Sequence, residues 1–557
     1  MSFSSYEFVL VFLPVTVLGF WRLRQQVGRN AAVRWLIFAS LVFYAYASMW
    51  GLAVILPSIG LDFFIARAML RLNSSRARLR SALYLTGIAA NILFLGYFKY
   101  KSFFLGTFDT VFGAHFALTP LLLPLGISFL TFQKIAFLSD VKSKVIETVP
   151  LQEFLIFTLF FPRTLAGPIV HYHELVPQLA DPDPHELSQN VCVGIALFSI
   201  GLFKKSVLAD GLASLTDYQD GGPIPLAFAW SGTLAYLFQL YFDFSGYSDM
   251  AIGAARFFGV RLPMNFNSPL KATSIIDFWS RWHITLTRFL TAYIYTPLVL
   301  HLTRSRIAQG KPILRGKRST ATAIANLVAL PTLVTMGLSG LWHGAGWQFV
   351  IWGLLHGIYL TVNQAWRMLR PRFWANQRSY DAVMGPVGFL LTFFSVVVAI
   401  VFFRAESIDS ALSTLGAMAG FHGVLPTHAQ ALRELGIHFN WIVIWEPFEA
   451  FTWLVPLSLM VTLLPNSLEL LRRFRPALDF PEGEPFIDDA PGKTRLLSGL
   501  QPKSRLHLYA TALGHVCMRV AGEGLTGSRL TAWLLALLTV LGLMALNHTS
   551  KFIYGQF

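Results

Sequence analysis

Cysteine is almost missing from this chain, and charge is scarce. Only two of the 557 residues are cysteines, Cys192 and Cys517, too few and too far apart for a disulfide framework or a cluster with metal-ligand spacing. Charged residues make up 13% of the sequence, about half the share of a soluble domain. No P-loop or dinucleotide fingerprint occurs, and GYSDM misses the G-x-S-x-G elbow because it ends in Met250. No period of about 20–50 residues and no inverted half-repeat is visible, which weakens a secondary-transporter reading. These gaps argue against nucleotide-loop, metal-cluster and serine-hydrolase chemistry.

What fills the sequence is apolar. Hydrophobic residues are 54% of it and the mean hydropathy is +0.55, so the chain belongs in lipid. A hydrocarbon core of about 30 Å needs roughly 20 helical residues per crossing. Apolar runs near 6–21, 35–48, 50–66, 82–98, 151–161, 191–203, 226–242, 324–339, 347–365, 385–403, 448–464 and 530–546 predict an all-α polytopic protein with about eleven to thirteen transmembrane or re-entrant helices. Segments 115–138 and 275–300 are broken by Pro120, Pro124, Gly126 and Pro297 or loaded with charge, and are expected to dip in and return. The first run has no Lys or Arg before it, Arg22 and Arg24 after it and no small-residue cleavage site, as a retained helix would.

The net charge of +15 could suggest nucleic acid, but the cations sit in short connections such as 22–34, 67–80, 301–319 and 366–378. Positive-inside topology explains them better, with the N-terminus outside and these loops in the cytoplasm. Two long connections, 404–447 and the Pro- and acid-rich 475–529, interrupt the apolar pattern. The expected organisation is N-terminal helices over 1–120, a motif-bearing core over 121–410, and C-terminal helices with the polar loop over 411–557.

An ionisable residue inside a membrane segment is a functional candidate by default. His343 is one, in LWHGAGW, beside Trp342 and among Gly340, Gly344 and Gly346. A core histidine bonded between helices fits the residue alone as well as a site does; the glycines, which permit close backbone approach, favour a site. His283 is the second, in DFWSRWHITLTRF with Asp277, Arg281 and Arg288; Asp277 and Arg281 also have the i,i+4 spacing of a structural ion pair. His343 and His356 are thirteen residues apart, on nearly opposite sides of any shared helix. HYHE at 171–174 has strand-like ligand spacing but no third ligand, so no metal is expected. Asp243 and Asp249 in YFDFSGYSDM are six apart, a poor carboxylate pair and a better fit to helix ends or buried hydrogen bonds.

The segments PLGISFLTFQ (124–133), FPRTLAGPIVHYHELVPQL (161–179), GLFKKSVLAD (201–210), YFDFSGYSDMAIG (241–253), NFNSPLKATSIIDFWSRWHITLTRFL (265–290), GLSGLWHGAGWQFVIWGLLHG (337–357) and VFFRAES (401–407) resemble, in order, those of the membrane-bound O-acyltransferases, and among them the bacterial branch of alginate O-acetylation. The resemblance implies a central tunnel through which an acyl group passes from a cytoplasmic thioester, acetyl-CoA, to a surface polysaccharide at a bacterial inner membrane. It implies no tightly bound cofactor. It marks His343 as general base and His283 as its companion; Trp342, Asp243, Asp249, Asp277 and Arg281 are expected from the residues themselves as tunnel or supporting residues. It further implies a C-terminal aromatic motif, here Phe552, Tyr554 and Phe557, whose Tyr554 carries the acyl group; an interfacial aromatic anchor fits that tyrosine equally. Gly555 replaces a further aromatic, and Thr291, Ala292 and Tyr293 stand where family members commonly read Arg-Asp-Tyr. Final delivery to the polymer is expected from a periplasmic SGNH-type transferase partner. A transporter or flippase, or a non-catalytic assembly subunit, is the competing reading.

Overall fold

The computed structural model describes residues 1–546 apart from 115, 117–120, 181–185, 217–223, 317–318, 375, 424–440 and 479–528. Most of the polar loop, Cys517 and the motif containing Tyr554 lie outside the described residues. Among those described the chain is helical, without a strand. The principal helices are α1 (Leu13–Gln26), α2 (Arg29–Ala47), α3 (Met49–Arg71), α4 (Ala77–Leu95), α5 (Lys101–Phe112), α6 (Ile127–Lys142), α7 (Leu187–Phe203), α8 (Leu226–Arg256), α9 (Leu330–His343), α10 (Trp347–Leu369), α11 (Gln377–Arg404), α12 (Trp441–Leu463) and α13 (Arg529–Ala545).

Six helical segments among the described residues are long and apolar enough to cross a membrane: Arg29–Ala47, Met49–Arg71, Ala77–Phe112, Leu187–Ala209, Ala321–His343 and Gln377–Arg404. α8 is longer than most of them, yet it carries Asp243, Asp249 and Arg256. The charge is tolerated because α8 faces protein rather than lipid: every residue from Ala235 to Arg256 is buried. The run at 151–161 is not a crossing. Its helix, Leu151–Leu159, has nine residues, roughly 13 Å of rise and less than half the hydrocarbon thickness. The chain then turns through Phe161–Thr164 into the helix Tyr172–Ala180. Segment 275–300 is broken as expected, into Ile275–Trp279, Ile284–Leu290, a π turn at Thr291–Tyr295 and the helix from Thr296.

Small residues let the central helices touch. A Cβ on Gly246 would sit 2.7 Å from the Gly201 carbonyl, and one on Gly253 2.7 Å from that of Gly194, so α7 and α8 pack backbone to backbone, as membrane helices do through small residues. α9 and α10 form a tighter hairpin, where a Cβ on Gly340 or Gly353 would meet the Phe349 or Met336 carbonyl at 2.2 Å. α13 closes the bundle against α7, Thr539 Oγ1 donating to Ser199 Oγ at 2.7 Å, and Tyr6 donates to the Leu543 carbonyl at 2.7 Å.

Candidate active site

His283 is the residue before the helix Ile284–Leu290 and has φ 45°, ψ 51°, a left-handed conformation that a non-glycine residue adopts only when its surroundings impose it. Asn265 imposes it. The Asn265 carbonyl accepts from Ile284 N at 3.0 Å, and its side-chain Oδ1 lies 2.9 Å from His283 Nδ1 and accepts from Thr285 Oγ1 at 3.0 Å. Asn265 Nδ2 donates to Ser248 Oγ at 3.3 Å on α8. Because Oδ1 is the acceptor in this arrangement, His283 holds its proton on Nδ1 and presents Nε2 as the basic nitrogen. The imidazole is fully buried, with Phe244 edge-on at 4.8 Å between ring centroids.

His343 ends α9 and is 2% exposed. Its ring centroid lies 4.8 Å from Trp342, 5.0 Å from Trp352, 5.3 Å from Phe403 and 6.5 Å from His283. The two histidines, sixty positions apart in sequence, thus share one aromatic enclosure. Trp342 forms a wall of it: Phe132 stacks on its indole at 5.2 Å and Phe129 meets it edge-on at 5.2 Å. The buried indole Nε1 of Trp342 has no hydrogen-bond partner among the described residues. The same holds for the hydroxyls of Ser339 and Thr335, one and two turns before His343 on the same helix face. The site therefore keeps donor capacity for a bound group.

Two separate voids lie in line toward this enclosure. A cavity of 670 Å³ opens between α10, α11 and the strand of chain before Ile275, with Ile275, Tyr359, Arg367, Arg370 and Thr392 in its lining. One helical turn further along these elements, Phe278, His356 and Val396 line a void of 20 Å³ together with Trp352 and Phe403. Those last two rings are the ones that touch His343. His356 faces this file and accepts from Trp279 Nε1 at 3.3 Å. His343 and His356 do not share a helix, so the opposite-sides argument does not apply: they sit on the two arms of the hairpin with Trp352 between them, 4.9 Å from His356.

The remaining expected residues fall elsewhere. Asp243 Oδ1 pairs with Lys205 at 2.8 Å, and Lys205 also binds Asp210 at 2.7 Å. Asp249 binds Lys204 at 2.9 Å and accepts from Ser467 Oγ at 2.6 Å. Asp277 and Arg281 form their i,i+4 pair at 2.7 Å, about one-third exposed. HYHE is not strand-like: Tyr172 to Glu174 begin a helix, His171 Nδ1 lies 3.2 Å from the Tyr293 hydroxyl, and Glu174 holds Arg288 at 2.7 Å. No group of three His, Cys, Asp or Glu among the described residues could hold a metal. Gly340 and Gly344 beside His343 serve the α9–α10 contact, each against Phe349. Two residues at the site are not singled out by the sequence: Asn265 lies inside a motif segment, whereas Lys99 carries only the signal of a charge in an apolar run. A third buried pair, Lys134 with Asp62 at 3.1 Å, ties α6 to α3.

Residues 140–309 match the model of the membrane-bound O-acyltransferase family, a stretch that holds Asn265 and His283. A peptidoglycan O-acetyltransferase of Helicobacter pylori is 39% identical over 460 residues, 77% of this chain and 81% of the relative. A probable alginate O-acetylase of Pseudomonas aeruginosa is 37% identical over 430 residues, 76% of this chain and 75% of the relative. A teichoic acid D-alanyltransferase of Streptococcus thermophilus is 28% identical over 296 residues, half of this chain and 68% of the relative. With matches of that length, and two buried histidines meeting in a multi-pass helical bundle, this chain belongs to the membrane-bound O-acyltransferase family.

Proposed function

We propose that this O-acyltransferase takes an acetyl group from a cytoplasmic thioester, acetyl-CoA, and passes it outward for O-acetylation of an exported polysaccharide or cell-wall polymer at the bacterial inner membrane. The observation that carries the reading is the pair of voids in line along α10, the inner one bordered by Trp352 and Phe403, whose rings lie beside His343. By the positive-inside rule the Arg367 and Arg370 end of α10 faces the cytoplasm, so the 670 Å³ cavity opens on the donor side. From Asn363 at that cavity to Trp352 beside His343 is eleven residues of α10, roughly 16 Å of helix, a depth suited to the extended arm of a thioester. The arginines suit the phosphates of such a donor.

In this scheme a hydroxyl oxygen adds to the thioester carbonyl carbon while its proton passes to the neutral imidazole of His343. The carbonyl electron pair moves onto oxygen. Collapse of that adduct expels the thiolate, which takes the proton back from His343 and leaves as a thiol. His283, locked by Asn265, orients the reacting groups from the other wall. The hydroxyl is that of Tyr554, acting as an outward carrier, and a periplasmic SGNH-type partner completes delivery to the polymer, since the sequence lacks a hydrolase serine motif. The teichoic acid relative supports an exported polymer as acceptor, as do the peptidoglycan and alginate relatives.

The test is His343→Ala in the native cell with the variant at wild-type abundance. Surface-polymer acetylation is expected to stop; full acetylation would overturn the assignment, and substrate movement surviving the change would favour a transporter. For Tyr554, an acetylated C-terminal peptide is expected by mass spectrometry when turnover is stalled by loss of the partner, and its absence there removes the carrier step.

A further inference from the structure

α9 ends at His343, so the carbonyls of its last turn lack intrahelical donors. Two donors come from one place. Between α4 and α5 the helix widens into a π turn, Gly96–Tyr100, the kind of one-residue insertion that re-aims side chains. From it Tyr100 donates to the Leu341 carbonyl at 2.9 Å and Lys99 Nζ donates to the Trp342 carbonyl. Lys99 Nζ also reaches Ser128 Oγ at 3.4 Å and lies 5.8 Å from the centroid of Trp342, the indole that walls the histidine enclosure.

The other lysines that point into the bundle are matched with carboxylates: Lys134 with Asp62, Lys204 with Asp249, Lys205 with Asp210 and Asp243. Among the described residues no carboxylate pairs with Lys99. Its amine is fixed at the residue next to His343 and, when protonated, has three N–H donors against two protein acceptors among the described residues, the Trp342 carbonyl and the Ser128 hydroxyl. A helix carboxyl end favours a cation, but Tyr100 shows that a neutral hydroxyl also caps this end.

We propose that Lys99 is the electrostatic partner of His343, holding a positive charge where the thioester carbonyl oxygen becomes negative as the hydroxyl adds. This rests on the acyl-transfer reading above. The histidine receives the proton and the ammonium stabilises the oxyanion, two tasks that one imidazole cannot perform together. The charge comes from a helix outside the motif-bearing segments and acts across space from its seat on the Trp342 carbonyl, so the only covalent changes are those already written for His343.

The experiment measures the rate of surface-polymer acetylation in the native cell, which needs no knowledge of the donor, with each full-length variant at matched abundance. Lys99→Gln keeps an N–H for the Trp342 carbonyl and removes the charge; a fall of about 100-fold is expected, the effect of losing one oxyanion donor. Lys99→Arg keeps the charge and is expected to run at least about tenfold faster than Lys99→Gln, while Tyr100→Phe, which removes the neighbouring cap alone, stays within about threefold of wild type. A wild-type rate in Lys99→Gln, equal rates in Gln and Arg, or a Tyr100→Phe loss as large as that of Lys99→Gln would overturn the proposal and leave Lys99 a helix cap. If Lys99→Gln fails to accumulate, Lys99→Arg decides, and a rate below about one-hundredth of wild type overturns it. Silence of His343→Ala with a normal Lys99→Gln sinks this inference alone; unchanged acetylation after gene deletion removes the acyl-transfer reading and this one with it.

Discussion

Around Lys205 the buried charges close on one another: Asp210 at 2.7 Å and Asp243 at 2.8 Å, all three side chains at most 4% exposed. Around His343, equally deep, the neighbours are indoles, a phenyl ring and a second imidazole. The first region joins α8 to the π turn after α7 and has its electrostatics completed within the fold. On the proposed mechanism the second is arranged to meet charge that exists only during reaction, when proton transfer makes an imidazolium and addition makes an oxyanion. A low-dielectric enclosure strengthens such transient interactions and is costly for permanent unpaired ions, a cost that the Trp342 carbonyl and the Ser128 hydroxyl offset in part for Lys99. Ion pairs therefore fit the frame, and neutral imidazoles fit the centre.

The comparison breaks most visibly if the centre can be emptied without consequence. His343→Gln is expected to lower polymer acetylation by about 1,000-fold, within the range of general-base catalysis, with no fall in protein abundance. The frame should behave in the opposite sense. Lys205→Met leaves two buried carboxylates facing each other and is expected to destabilise the fold by about 3–5 kcal/mol, seen as reduced abundance and a lower melting temperature in detergent. An abundant, stable but inactive Lys205→Met protein would place the triad in the reaction instead.

Asn265 stands between the two regions, polar and fully buried yet bonded to a histidine of the centre. Asn265→Ala removes the acceptor for His283 Nδ1 and leaves a buried donor behind, a loss of about 1–3 kcal/mol. If His283 works by orientation, that loss appears as an acetylation rate lowered roughly tenfold to a hundredfold at normal abundance. If it appears as instability with an unchanged rate per molecule, His283 belongs to the frame.

Much of this division was legible in the sequence. Long apolar runs gave the multi-pass helical bundle, and a histidine in each of two motif segments gave the pair that meets at 6.5 Å. Partnerships were not legible, because they link residues far apart: Trp342 is capped by Lys99 across 243 positions, and Ser467 meets Asp249 across 218. Nor was the purpose of the glycines, since close approach to a ligand and close approach to a second helix place the same demand on a backbone. The apparent span at 151–161 shows a related limit. Its apolar character reports burial, and only the turn at Phe160, with ψ 103°, stops the helix short.

Asp277 and Arg281 sharpen the comparison from its weak end. Their pair has the 2.7 Å geometry of the buried ones and sits beside Thr273 and Ser274 at the rim of the 670 Å³ cavity. Its side chains are 29% and 32% exposed, however, and an ion pair in contact with water contributes about 0–1 kcal/mol. Asp277 also accepts from Thr273 N at 3.2 Å, a bond that Asn can keep through its carbonyl oxygen. Asp277→Asn is therefore expected to move the melting temperature by no more than a few degrees, less so at high salt, and to leave polymer acetylation within about twofold. A tenfold loss of acetylation at normal stability would mean that Arg281, released from its partner, disturbs the bound donor, and the line between frame and centre would then run along the rim of the cavity rather than around the histidines.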